Sequence, residues 1–284
     1  MIDLAIRVRS ATLQDRPALS DLLFHSSQAH RHLDWCLPLD WLGSSHFWVL
    51  EKADRLLAAL ACPPQAFQVA WVRLFAVGKA ISAMDAWRAL WNVARAELAH
   101  ANVIDVGILA LHDWLHELLP YTEFSYQQDI VMLEWRGQPV LLPPLPPGIS
   151  LRPMHRNDLP AVLEVDRDAF APLWQLPAEE LTIAFEQAIF ATVLEADSRL
   201  LGYQLSTAKP AGAHLARLAV RQETQGRGLG SLLVAHLIME ARRRGLSSLS
   251  VNTQATNRSS LAVYHKMGFI RTGERYPIYS ARIG

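Results

Sequence analysis

No run of apolar residues in this 284-residue chain approaches the roughly 20 needed to span a bilayer. The start, Met1-Ile-Asp-Leu-Ala-Ile-Arg7, passes into polar sequence without the apolar core of a signal peptide. Cysteine is nearly absent: Cys36 and Cys62 have neither the number nor the spacing of a disulfide framework. These absences predict a cytoplasmic protein in a reducing compartment. Net charge is missing too, since 27 Lys+Arg balance 27 Asp+Glu. That argues against nucleic acid or a bulk anionic membrane as the main partner. No Ser-His-Asp signature occurs, and the H-E-x-x-H arrangement is absent. His112 and His116 stand at i, i+4 beside Glu117, and His30-Arg-His32 lies near Trp35. Neither group has the rest of a ligand set, so no metal is expected.

Half of the residues, 51%, are hydrophobic, enough for a sizeable core, and the length allows two medium domains. The halves differ in charge. Residues 1–142 hold 11 Lys+Arg against 15 Asp+Glu, a net of −4, which leaves 16 against 12, or +4, for the rest. A polyanionic ligand suits the second half better.

The halves also repeat one another. Arg9, Asp15 and Ala18 recur 143 residues on as Arg152, Asp158 and Ala161. Val49-Leu-Glu51 and Arg55-Leu-Leu57 recur at an offset of 144 as Val193-Leu-Glu195 and Arg199-Leu-Leu201. Arg73-Leu-Phe-Ala-Val77 lines up with Arg217-Leu-Ala-Val220 within one residue of that period. Such self-similarity predicts two copies of one fold, 1–138 and 149–284, packed against each other. Residues 139–148 between them are rich in proline, which blocks both helix and ladder, and read as a stiff extended linker. Each copy reads as an α/β (α+β) unit, a mixed sheet flanked by helices.

In the second copy, Arg217-Leu-Ala-Val220 reads as a strand. Leu229, Leu232, Leu233, His236, Leu237 and Glu240 follow one helical face. Between them Gly226, Gly228 and Gly230 alternate, so a loop poor in Cβ atoms opens directly into a helix N-terminus. Backbone amides and the positive end of the helix dipole converge there, as an anion requires. A P-loop would need Gly-Lys-Ser/Thr, and the dinucleotide fingerprint would need glycine where Ser231 stands. The pattern that fits is Q/R-x-x-G-x-G/A, filled by Gln225, Gly228 and Gly230.

With that loop the chain resembles the GNAT superfamily of N-acyltransferases, whose acyl-CoA pyrophosphate loop has this form. The segment from Asn257 to Phe269, with Ala262, Tyr264 and Gly268, is similar to the family's N-x-x-A-x-x-x-Y-x-x-x-G-F ending. The resemblance implies tandem GNAT-like domains, each with a mostly antiparallel twisted sheet. It implies acetyl-CoA as cosubstrate, its pyrophosphate on Gln225, Gly226, Arg227, Gly228, Leu229, Gly230 and Ser231. The pantetheine would run beside Leu218, Ala219 and Val220, with Asn257 near the cofactor. Tyr264 would protonate the departing thiolate, its phenol being protonated at neutral pH. His214, expected on the same strand face as Leu218 and Val220, would be either a base for the amine or a solvent-facing strand residue. Asn252 would orient the acceptor or bond a neighbouring backbone group. Phe170-Ala-Pro-Leu-Trp174 would line the acceptor pocket, and the acceptor would be a small-molecule or peptide amine.

In the first copy the same register puts Asp85 and Trp87 at the positions of Gly228 and Gly230, and Leu119 at that of Tyr264. That copy is expected to be degenerate. It holds eight of the nine tryptophans, which suits packing or a binding surface. A non-catalytic acyl-CoA-binding or regulatory module, with a partner-binding first copy, is the alternative function.

Overall fold

In the computed structural model the described residues are 6–33, 35–65, 68–141, 143–210 and 212–283. The chain opens with β1 (Arg7–Ser10), α1 (Arg16–His25), β2 (Gln28–Arg31), β3 (Phe47–Lys52), β4 (Arg55–Ala61), β5 (Pro64–Gln65), β6 (Val69–Trp71) and β7 (Leu74–Val77). Then come α2 (Ala83–His100), β8 (Asp105–Leu109), α3 (Asp113–Leu118) and β9 (Ser125–Trp135). The order repeats with β10 (Ile149–Pro153), α4 (Leu159–Ala169), α5 (Ala178–Gln187), β11 (Ala188–Ala196), β12 (Arg199–Lys209) and β13 (Gly212–Val220). It ends with α6 (Leu229–Arg243), β14 (Ser248–Gln254), α7 (Arg258–Lys266) and β15 (Ile270–Arg282). The mixed α/β, largely antiparallel architecture is the one the sequence predicts.

The recurring residues make the same contacts in both copies. Arg9 grips Asp15 through two bonds of 2.8 Å and reaches Glu51 at 2.8 Å. Arg152 grips Asp158 at 2.7 and 2.9 Å and reaches Glu195 at 2.8 Å. Asp15 and Asp158 are held below the usual carboxylate range, first by these arginine hydrogen bonds. A register shift falls at the same point in both hairpins, Leu50/Glu51 and Leu194/Glu195.

Two compact units divide the chain, and their limits differ from the expected ones. The first unit runs to Gln128 and takes back Tyr276–Gly284, while the second is Asp129–Arg275. In the first unit, β8 pairs antiparallel with the end of β15, Ile278 opposite Leu109 through Arg282 opposite Asp105. Tyr279, Ala281 and Ile283 accordingly lie in the core built by Trp87, Leu90 and Trp91 of α2. In the second unit, β14 pairs antiparallel with the end of β9, Leu249 opposite Trp135 through Gln254 opposite Ile130. Val131, Leu133 and Trp135 join that unit's core with α6 and α7. Trp135 thus serves the second unit, not the first. Each unit closes its sheet with a strand from the other copy, a long-range pairing with no local sequence signal.

The second unit's sheet runs β10-β11-β12-β13-β14-β9 and is antiparallel except for β13 beside β14. That parallel pair ends at Leu215 opposite Val251. Beyond it, β13 keeps only its β12 partner and β14 only β9. Among the described residues the 216–220 edge of β13 therefore has no strand beside it. In the first unit the same edge is filled. Its five-stranded sheet is β1-β3-β4-β7-β2, and β2 lies antiparallel along β7, His30 opposite Phe75.

Candidate active site

The glycine loop has the geometry that the sequence asks for. Gly226 and Gly228 have φ of 77° and 82°, a region that L side chains avoid. A Cβ at either would meet nothing within 4 Å, so backbone conformation and not crowding requires glycine. Gly230 is helical, and its Cβ would make an ordinary 3.7 Å contact with Val263. Gly228 caps α6 with no side-chain acceptor, so the first-turn amides point out of the helix without an intrahelical partner. Gln225 folds back instead, its Nε2 donating to the Val220 carbonyl at 3.0 Å, which closes the loop onto the strand. Arg227 and Lys266 are exposed at this helix end and have no ion-pair partner among the described residues. Outward amides, a dipole and two unpaired cations fit a pyrophosphate.

The first copy lacks all of this, though through residues other than those expected. Aligning the helix starts places Ser82, not Asp85, at the position of Gly228. Ser82 Oγ accepts the Asp85 amide at 3.1 Å and donates to its carboxylate at 2.6 Å, so the helix end caps itself with an anion in place. Trp87 is core. Leu119, at the place of Tyr264, is fully buried. The 74–77 edge, counterpart of 217–220, is covered by β2.

Tyr264 is 4% exposed and packs against Phe269 with ring centroids 5.7 Å apart. Burial raises its pKa far enough that the phenol is protonated at any ordinary pH. It shares a core with Leu218 of β13 and with Val234 and Ala235 of α6. Asn257 caps α7: its Oδ1 accepts the Ser260 amide at 3.0 Å and its Nδ2 reaches Gln254 at 3.4 Å. Its local bonds are those of an N-cap.

His214 is where the expected geometry fails. The register of β12 against β13 jumps from Leu205 opposite Arg217 to Ser206 opposite Leu215, leaving Ala216 as an extra residue. This bulge inverts the alternation, so Leu215 and Leu218 fall in one core and His214 points to the other face. It does not share a face with Leu218 and Val220. Its Nδ1 lies 2.9 Å from Ser250 Oγ, to which Lys209 Nζ also donates at 3.0 Å. Burial, with the Lys209 charge adding, pushes the imidazole down to about 4. The ring is neutral at physiological pH and only weakly basic.

A cluster that the sequence did not announce anchors the segment 170–176. Asp166 is fully buried and receives Arg217 at 2.8 and 2.9 Å and the Tyr203 hydroxyl at 2.5 Å. Its Oδ1 also accepts the Leu176 amide at 2.9 Å, and Arg217 donates to the Trp174 carbonyl at 2.6 Å. The guanidinium lies 3.7 Å over the Phe170 ring. Burial and then Asp166 drive the Tyr203 phenol well above its usual range. The only signal for this was the repetition of an arginine at Arg73 and Arg217. Among the described residues no group of three or more His, Cys, Asp and Glu could hold a metal. His30 Nε2 instead lies 3.1 Å from the Val72 carbonyl, and His116 bonds Tyr279 at 2.6 Å. No helix among the described residues is long and apolar enough to cross a membrane.

The fold and the glycine loop at the start of α6 fit the class of N-acyltransferases that the sequence resembles. The profile of the Acetyltransferase (GNAT) family matches residues 159–269. The [ribosomal protein bS18]-alanine N-acetyltransferase of Salmonella typhimurium is 31% identical over 114 residues, 40% of this chain and 75% of that one. Mycothiol acetyltransferase of Rhodococcus jostii is 30% identical over 200 residues, 60% of this chain and 65% of that one. A tandem GNAT protein from the clavulanic acid biosynthesis pathway shares the fold, with a TM-score of 0.65, 16% identity and 99% of both chains covered. The chain belongs to the GNAT acetyltransferase family and is an N-acyltransferase.

Proposed function

We propose that the second unit binds acetyl-CoA and transfers its acetyl group to a primary amine by direct attack. The observation that carries this is the loop Gly226–Gly228 at the uncapped start of α6, beside the open 216–220 edge of β13. Its outward amides and the unpaired Arg227 and Lys266 neutralise a pyrophosphate, and the strand edge offers alternating N–H and C=O groups to the amide-bearing pantetheine. Acetyl-CoA supplies the thioester carbonyl, at which a C–N bond forms and the C–S bond breaks. Tyr264, protonated and buried, donates the proton to the departing sulfur. The amine's proton leaves by water or by His214. A ring with pKa about 4, facing the other side of β13, is a poor acceptor for an ammonium proton, which favours water. Asp166, Arg217 and Tyr203 hold the segment 170–176 in place as one wall of the acceptor pocket.

The relatives are named for an alanine of ribosomal protein bS18 and for mycothiol. A primary amine on a small molecule or a peptide N-terminus is the acceptor class proposed here. Thiol release from acetyl-CoA, followed over a panel of amines that includes an alanine-ended peptide, tests the reading. Release above the rate without amine, on at least one of them, is expected. Tight acetyl-CoA binding with no release on any amine would favour a binding module instead.

A further inference from the structure

The bulge at Ala216 turns His214 and Arg217 to one face of β13, the face against which Arg217 holds the segment 170–176. Ser250 lies opposite His214 in the parallel pairing of β13 with β14, one step before that pairing ends at Leu215 and Val251. A polar rung therefore stands at the inner end of the open strand edge, on the side of the acceptor wall. Its hydrogen bonds fix the position of a proton. The Lys209 ammonium can only donate, so Ser250 Oγ accepts from Nζ at 3.0 Å. Ser250 is 5% exposed, and the other partner of its hydroxyl among the described residues is His214 Nδ1 at 2.9 Å. Were Nδ1 to carry the ring proton, the serine O–H would be buried without an acceptor. All three groups are satisfied when Ser250 donates to a bare Nδ1. The ring is neutral, as its burial requires, so its one proton then sits on Nε2. With the Nδ1 lone pair taken by the serine, the imidazole has none left to receive a proton from an amine. It has instead a free N–H, next to an ammonium with no carboxylate partner among the described residues.

We propose that His214 is a donor to the acceptor and not a base. Its Nε2–H and the Lys209 ammonium take an anionic oxygen group, carboxylate or phosphate, on the molecule whose amine is acetylated. Ser250 is a positioning residue that holds the tautomer and does not touch the acceptor. The inference rests on the reaction and the acceptor wall given under Proposed function, and it narrows the acceptor to amines that carry such a group.

Two measurements test it. Long-range proton–nitrogen correlation spectra of protein with isotopically labelled histidine read the tautomer directly, with His214→Gln identifying the signals. Nε2–H is expected in the wild type and a mixture of tautomers in Ser250→Ala. A wild type with Nδ1–H, or with a mixture, overturns the inference. Thiol release from acetyl-CoA is then compared within matched pairs, amino acids against their amides and aminoalkyl phosphates against the corresponding amino alcohols. A charge-assisted contact corresponds to a preference of about tenfold in kcat/KM for the anionic member of at least one pair. The pair that shows it tells carboxylate from phosphate. Lys209→Gln and His214→Leu should bring this preference close to one, mainly through KM. His214→Gln keeps an N–H near the place of Nε2 but cannot serve as a base, and it should retain most of the preference. Indifference of the wild type to the anionic group overturns the inference alone. So does a His214→Gln protein that loses turnover on every acceptor, as removal of a base would cause. If no acceptor releases thiol, the proposed reaction fails and this inference fails with it, whatever the tautomer.

Discussion

Tyr264 serves the fold and, in the proposed reaction, the chemistry. It is part of the core with Phe269, and the same burial keeps its phenol protonated. Tyr264→Phe preserves the packing and removes the proton donor. Turnover is expected to fall by about 10²–10⁴ with the acetyl-CoA dissociation constant nearly unchanged, because the contact forms mainly in the transition state. The loss should shrink for a thioester with a more acidic leaving thiol. Near-wild-type turnover, with chemistry rate-limiting, would remove the tyrosine as acid. His30 raises a different question, of stability. It is fully buried, and burial holds its pKa at about 4, with His112 adding to the effect of burial. Between pH 6.5 and 4 the unfolded chain binds a proton that the folded one refuses, so stability falls as pH drops through that window and is flat above it. The loss at pH 5 is about 2 kcal/mol for this one group. Urea denaturation from pH 7.5 to 5 should show this slope in the wild type and a shallower one in His30→Gln. Equal slopes would mean that His30 is not the source.

At the scale of elements, some of this arrangement is written in the residues and some is not. The glycine loop is legible because a left-handed backbone at Gly226 and Gly228 leaves a mark at the positions themselves. So is the repeat, since Arg9 with Asp15 and Glu51, and Arg152 with Asp158 and Glu195, are kept together by ion pairing. The bulge at Ala216 is not, because nothing in His214-Leu-Ala-Arg217 distinguishes it from a regular strand, and one extra residue turns His214 to the opposite face. Nor is the placement of β2 along β7, a contact across more than forty residues of chain. The exchange of β9 and β15 is hidden for the same reason, and it has a direct consequence. A fragment cut at the sequence boundary, 149–284, leaves the edge of β14 without β9 and exposes a hydrophobic strand. The fragment 129–275 keeps that pairing. Expressed separately, 129–275 should melt cooperatively in circular dichroism while 149–284 should aggregate or show no transition. Comparable folding of both would contradict the exchange.

For the whole molecule, two copies of one scaffold carry different residues at the proposed cofactor site. The first copy caps its helix with Ser82 and Asp85, fills the strand edge with β2 and carries Leu119 in place of Tyr264. The second keeps the loop, the open edge and the tyrosine. The first unit therefore has no acetyl-CoA site of its own in this account, despite its shared descent. Titration calorimetry of the intact chain with acetyl-CoA tests this most directly. The account predicts one acetyl-CoA per chain, and a stoichiometry of two, or no binding at all, would contradict it.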